Sequence, residues 1–122
     1  MDDFAAVVQR QREAFTRKDV TAMTAELTDD YGWFRILDDG SAVRSASGKA
    51  EVAERMAAFF KAVPYAGSTV DRTMVVGNYI VAEEKDSFDT PQGRKVQITL
   101  GVYEFKDGKI SKAWAFPVKS SS

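Results

Sequence analysis

Apolar positions recur with the spacing of helices in the first half of the chain and with the spacing of strands in the second. Phe4, Val7, Val8, Gln11 and Phe15 share one helical face, which predicts an amphipathic helix over residues 3–17 with a single polar residue, Gln11, inside its apolar stripe. Asp19 is placed to cap a short second helix with inward Val20, Met23 and Leu27, ending near Thr28-Asp29-Asp30. Residues 31–37, YGWFRIL, are aromatic and β-prone. The turn residues Asp38-Asp39-Gly40-Ser41 lead from them into a weaker strand at 42–46, giving a first hairpin. Ser47 is the expected cap of a third helix, 48–63, whose Val52, Met56, Phe59, Phe60 and Val63 form a wide apolar stripe before Pro64 stops it.

From Ser68 onward the period is two, and Gly77-Asn78, Pro91-Gln92-Gly93 and Asp107-Gly108 separate four long strand-like runs. Helices gathered early and a meander late predict an α+β architecture, with three N-terminal helices packed on one face of a strongly curved, mostly antiparallel sheet. No repeat, low-complexity linker or composition break interrupts the 122 residues, so a single domain over 1–119 is expected, followed by a disordered serine tail at 120–122.

Composition narrows the chemistry. Seventeen basic against eighteen acidic residues give a net charge of −1, without the basic excess of a nucleic-acid binder. There is no cysteine and no histidine, which removes disulfides, thiol nucleophiles, histidine-based triads and most zinc sites; acid-base work falls to Asp, Glu, Tyr, Lys or a cofactor. No phosphate-cradling glycine loop, dinucleotide fingerprint or clustered metal-ligand spacing is present, so no cofactor or metal is expected. No segment has the roughly 20 apolar residues of a membrane span, and Met-Asp-Asp-Phe does not open a secretory leader; a cytoplasmic protein without membrane partners is the expectation.

Alternation assigns faces. On the fifth strand Gln97, Thr99, Gly101, Tyr103 and Phe105 lie on one side, and Val96, Ile98, Leu100, Val102 and Glu104 on the other. On the sixth, Ala113, Ala115 and Pro117 oppose Lys112, Trp114 and Phe116. On the fourth, Ile80, Ala82, Glu84, Asp86 and Phe88 fall together, so two carboxylates one pleat apart share a largely apolar face. Arg35, beside Trp33, is the expected charge partner, because unpaired buried carboxylates tend to become protonated. Arg35, Glu84 and Asp86 are therefore the candidate catalytic cluster, acting as a general base or ligand anchor; the same residues also fit a solvated ion pair at a cavity mouth. Gln11 and Tyr103 are candidates to hydrogen-bond a ligand carbonyl, or to satisfy a backbone neighbour. Trp33, Phe59 and Phe88 suit the wall of an apolar pocket, or simply a core.

The order helix, helix, short hairpin, helix, meander resembles the NTF2-like superfamily, in its SnoaL-like and ketosteroid-isomerase-like branch. The stretches FTRKDVTAMTAELTDDY, SGKAEVAERMAAFF and GRKVQITLGVYEFKDGKISKAWAF carry the resemblance. It implies a cystatin-like cone enclosing a pocket, with an outer sheet face that forms a homodimer, here through Val96, Ile98, Leu100, Val102, Trp114 and Phe116. The catalytic tyrosine and two aspartates of ketosteroid isomerases fall at Gln11, Arg35 and Gly101. The arginine and two aspartates of limonene-epoxide hydrolases fall at Glu84, Asp86 and Ala115, and the aspartate of SnoaL-type cyclases falls within AWAFP. The resemblance thus implies a small-molecule pocket protein, working as a cofactor-independent isomerase, hydrolase or cyclase on an apolar oxygenated compound. The alternative is a non-catalytic dimeric ligand-binding or interaction module.

Overall fold

The structure, a computed structural model, describes residues 3–118; the serine tail expected at 120–122 lies outside the described residues. Helix α1 spans Phe4–Thr16 and is capped by the Asp3 carboxylate, which accepts from the Ala6 N–H at 3.2 Å. It buries Val7, Val8, Gln11 and Ala14. Asp19 caps α2, Val20–Ala25, as its sequence suggests. That helix is shorter than its apolar spacing predicts: Leu27 opens strand β1, Leu27–Ile36, where it pairs with Ile110 instead of extending the helical stripe. Thr28, Asp29 and Asp30 are accordingly strand residues and not a terminating turn.

Strand β2, Ala42–Ser47, returns antiparallel to β1. Helix α3, Lys49–Ala62, follows it, so two helices precede the first strand and the third comes after the hairpin, in the expected order. Its N-cap is Gly48, without a side-chain cap. Ser47 is still in the sheet opposite Gly32, and the chain turns out of it through a Gly48 φ of +85°, a conformation that suits glycine. The remainder is a meander of β3 (Ala66–Val76), β4 (Tyr79–Thr90), β5 (Gly93–Lys106) and β6 (Lys109–Pro117). The β5–β6 turn places Asp107 at φ +52° and Gly108 at +78°, the paired positive angles that make Asp-Gly a tight hairpin turn.

The sheet runs in the order β2-β1-β6-β5-β4-β3, antiparallel except where β1 lies parallel to β6. It is therefore a curved mixed sheet. Register breaks at Trp33/Phe34, Val70/Arg72 and Glu104/Phe105 add local twist and help it curl around the helices. Val8, Ile80 and Ile110 are fully buried at the centre, and Phe4 stacks on Phe105 with ring centroids 4.0 Å apart. A second cluster joins Ala14, Met23 and Phe60, flanked by Phe15 and Phe59. Among the described residues no helix is long and apolar enough to cross a membrane.

Candidate active site

Between the helices and the inner sheet face lies a cavity of about 310 Å³. Strand alternation puts the expected set into it. Glu84, Asp86 and Phe88 come from β4, and Gln97, Thr99, Gly101 and Tyr103 from β5. Opposite them, Trp33 and Phe59 supply aromatic walls.

At the deep end Glu84 is only 4% exposed. The Tyr103 hydroxyl donates to its Oε2, and the Arg12 guanidinium stands 3.7 Å from its Oε1. Its room comes from Gly101: a Cβ there would meet Glu84 Oε2 at 2.5 Å and the Tyr103 ring at 3.0 Å. Burial pushes the Glu84 carboxyl above the usual carboxylate range and the nearby Asp86 adds to this; Arg12 and the Tyr103 hydrogen bond pull the other way without cancelling it. Burial also pushes the Tyr103 phenol well up, reinforced by Glu84. For Arg12 burial favours the neutral form, yet the surrounding Tyr103, Glu84 and Asp86 outweigh it and hold the guanidinium charged. Arg12 also lies over the Phe15 ring at 5.3 Å, and its Nε is enclosed without a hydrogen-bond partner among the described residues.

Asp86, one pleat along β4, has a different setting. It is half-buried, and Ser68 Oγ donates to its Oδ1 at 2.6 Å. Ser68 is itself pinned to α1: its N–H donates to Thr16 Oγ1 at 3.1 Å, and Thr16 Oγ1 donates to the Ser68 carbonyl at 3.3 Å. Asp86 thus has one oxygen fixed by the scaffold.

The charge partner of the carboxylates differs from the sequence expectation. Arg35 lines the cavity but is exposed, and no ion pair joins it to Glu84 or Asp86 among the described residues. The reason is topological: β1 sits three strands from β4, across β6 and β5. The cation at Glu84 comes instead from α1. Arg12 follows Val8 by four residues and precedes Phe15 by three, so it belongs to the same stripe, a position that helical spacing marks but that its charge disguises. Gln11 spends its amide on the Met23 carbonyl, which ties α1 to α2. Trp33, Phe59 and Phe88 are half-buried around the cavity. Among the described residues no three acidic groups cluster tightly enough to hold a metal ion.

Two carboxyls one pleat apart along one strand, one pushed above the usual carboxylate range by burial and one accepting from Ser68, can hold a proton donor and a proton acceptor against the same ligand. A family model for the SnoaL-like domain matches residues 8–113. The chain belongs to the SnoaL-like domain family. Solved structures agree at the level of the fold. A cystatin-fold protein of Novosphingobium aromaticivorans is 20% identical, with a TM-score of 0.80 over 94% of this SnoaL-like chain and 97% of its own. An LEH-like epoxide hydrolase of M. tuberculosis is 20% identical, with a TM-score of 0.78 over 93% and 80% of the two chains. A protein of ketosteroid isomerase-like fold from Catenulispora acidiphila, solved with trimethylamine, is 11% identical, with a TM-score of 0.76 over 89% and 82%. No curated protein matches the sequence significantly.

Proposed function

We propose that this SnoaL-like protein is a small-molecule enzyme that moves protons on an apolar, oxygenated compound held in the cavity, in an isomerase, hydrolase or cyclase reaction run by its own side chains. The observation that carries the proposal is the split between Glu84 and Asp86. Glu84 is buried and its carboxyl is pushed above the usual range by that burial, whereas Asp86 is half-buried and anchored by Ser68. In this scheme Asp86 is the general base, and Glu84, bonded to Tyr103, returns a proton to a developing oxyanion. Arg12 stabilises negative charge passing through the pair. Trp33, Phe59 and Phe88 hold the apolar body. The fold shared with an LEH-like epoxide hydrolase makes epoxides a sensible first substrate class.

The test is turnover of terpenoid epoxides, polyketide fragments and steroid ketones by the wild type, Asp86→Asn and Glu84→Gln. Each substitution is expected to lower kcat by about a hundredfold, the size of a lost general acid or base. A substrate converted equally well by all three proteins would refute the scheme. We further propose that the outer sheet face forms a homodimer through Val96, Ile98, Leu100, Val102, Trp114 and Phe116, since Val96 and Ile98 are exposed and the others are only half-buried. Light scattering at micromolar concentration that gives 13.5 kDa would reject it. A second reading, a dimeric module that binds without reacting, is favoured by one specific observation: Gln11 already spends its amide on the backbone.

A further inference from the structure

Four charged side chains line the cavity, and they are not evenly placed. Arg12, Glu84 and Asp86 gather at the β4 side, where two acidic side chains face one guanidinium. Arg35 stands apart on β1, exposed, without an ion pair among the described residues. The two regions are three strands apart, about 14 Å along the sheet. The inner face between them carries small residues, because Arg35 pairs with Ala115 and Ala115 with Gly101, the recess that the Glu84 carboxyl occupies. Trp33, two residues before Arg35 on the same face, flanks the start of this stretch.

The geometry points to an apolar carboxylic acid as the ligand: its carboxylate is held by Arg35 at the edge of the cavity, its ring body lies over the small residues beside Trp33, and its uncharged, oxygenated end reaches Glu84 and Asp86. This inference rests on the proposed role of the cavity as a substrate pocket and adds the substrate's charge and direction. The charge distribution fixes the direction. An anion placed at the β4 side would meet the Asp86 carboxyl and an Arg12 guanidinium already engaged with Glu84, whereas at Arg35 it meets a guanidinium whose planar donors match a carboxylate and need not first give up another partner. Arg35 is a ligand anchor in this arrangement, distant from the proton transfer.

A matched pair of probes tests it, with binding as the readout. Wild-type protein is titrated at neutral pH with 2-naphthylacetic acid and with 2-naphthylacetamide, which differ in charge but hardly in shape, and tryptophan fluorescence is followed. The acid is expected to bind about tenfold more tightly than the amide, a margin that shrinks as salt is raised. Arg35→Met is expected to bring the two dissociation constants together by weakening the acid alone, and Arg35→Lys to retain part of the margin. Equal affinity of the wild type for acid and amide overturns the inference, as does an Arg35→Met variant that loses both probes alike. Binding of neither probe at millimolar concentration also overturns it. The failure modes separate: an acid preference that persists while Asp86→Asn leaves turnover untouched rejects the proton-transfer scheme and keeps the anchor. Loss of turnover in Asp86→Asn without any acid preference rejects the anchor and keeps the scheme.

Discussion

Around Glu84 and Thr99 the two faces of β4 and β5 depart from the usual distribution of polarity, while Ile80, Ala82 and Phe105 keep it further along the inner face. Inward, Glu84 and Thr99 are buried. Outward, on the same strands, Val96 and Ile98 are 58% and 40% exposed. Parity along the strand decides which side chain is enclosed, and neither face is what the stability of an isolated monomer would select. A buried carboxylate costs several kcal/mol unless paired, and exposed aliphatics forgo the roughly 1.5–3 kcal/mol that burial would return. The inner face is therefore compensated locally, by Arg12 and Tyr103, while on the outer face Val96 and Ile98 stay exposed among the described residues. The proposed roles follow this difference, a small ligand inside and a second copy outside.

The inner compensation should break most sharply when its cation is removed. Arg12→Met leaves the buried Glu84 with Tyr103 alone, and a loss of about 3 kcal/mol is expected in urea denaturation at neutral pH. This is the low end for breaking a buried pair, because the 3.7 Å contact is longer than a hydrogen bond. A loss below about 1 kcal/mol would mean that solvent screens the pair. Next in size is Gly101→Ala. Its Cβ would crowd Glu84 Oε2 at 2.5 Å and the Tyr103 ring at 3.0 Å, so a destabilisation of about 1–3 kcal/mol is expected. A thermal scan showing unchanged or raised Tm would indicate that the carboxyl swings aside freely.

Much of this contrast is legible in the sequence, for a physical reason. A period of two needs only local geometry, so Gln97, Thr99, Gly101 and Tyr103 sort correctly against Val96, Ile98, Leu100 and Val102, and Glu84 falls beside Asp86. Which elements meet is a different matter. Nothing in the spacing around Arg35 says that β1 docks beside β6, and this docking is what removes Arg35 from Glu84 and admits Arg12. Leu27 shows the same limit at smaller scale, since an apolar residue after a short helix fits the next turn or the next strand equally well until its partner Ile110 is known. Gly101 reads as a weak point in a strand, and only the three-dimensional neighbourhood turns it into the recess for a carboxyl.

The pH dependence of stability sharpens the inner half of the comparison. Glu84 holds its proton more tightly in the folded chain than in the unfolded one. Its contribution to stability is therefore fully present below its unfolded value, and is lost as pH rises through its raised native value. The slope amounts to about 1.4 kcal/mol for each pH unit inside that window. Glu84→Gln cannot titrate and should flatten this decline when denaturation midpoints are compared from acid to neutral pH. An identical slope in both proteins would assign the dependence to other groups.

The smallest folding effect belongs to the outer face, and its smallness is informative. Val96→Thr combined with Ile98→Thr changes side chains that are already largely in water, so the unfolding free energy of dilute protein should move by about 0.5 kcal/mol or less. The same pair sits beside Leu100, Val102, Trp114 and Phe116, where Val102 faces Trp114 and Leu100 faces Phe116 across the β5–β6 register. A second copy covering that surface would make the wild-type Tm rise with protein concentration, because association draws the folded state forward by mass action. The double variant should lose most of this concentration dependence while keeping its dilute-limit Tm. A large drop at high dilution would show that the two side chains are needed inside one chain. A wild-type Tm independent of concentration would leave the outer face without a second copy on it, and the comparison would then rest on the inner face alone.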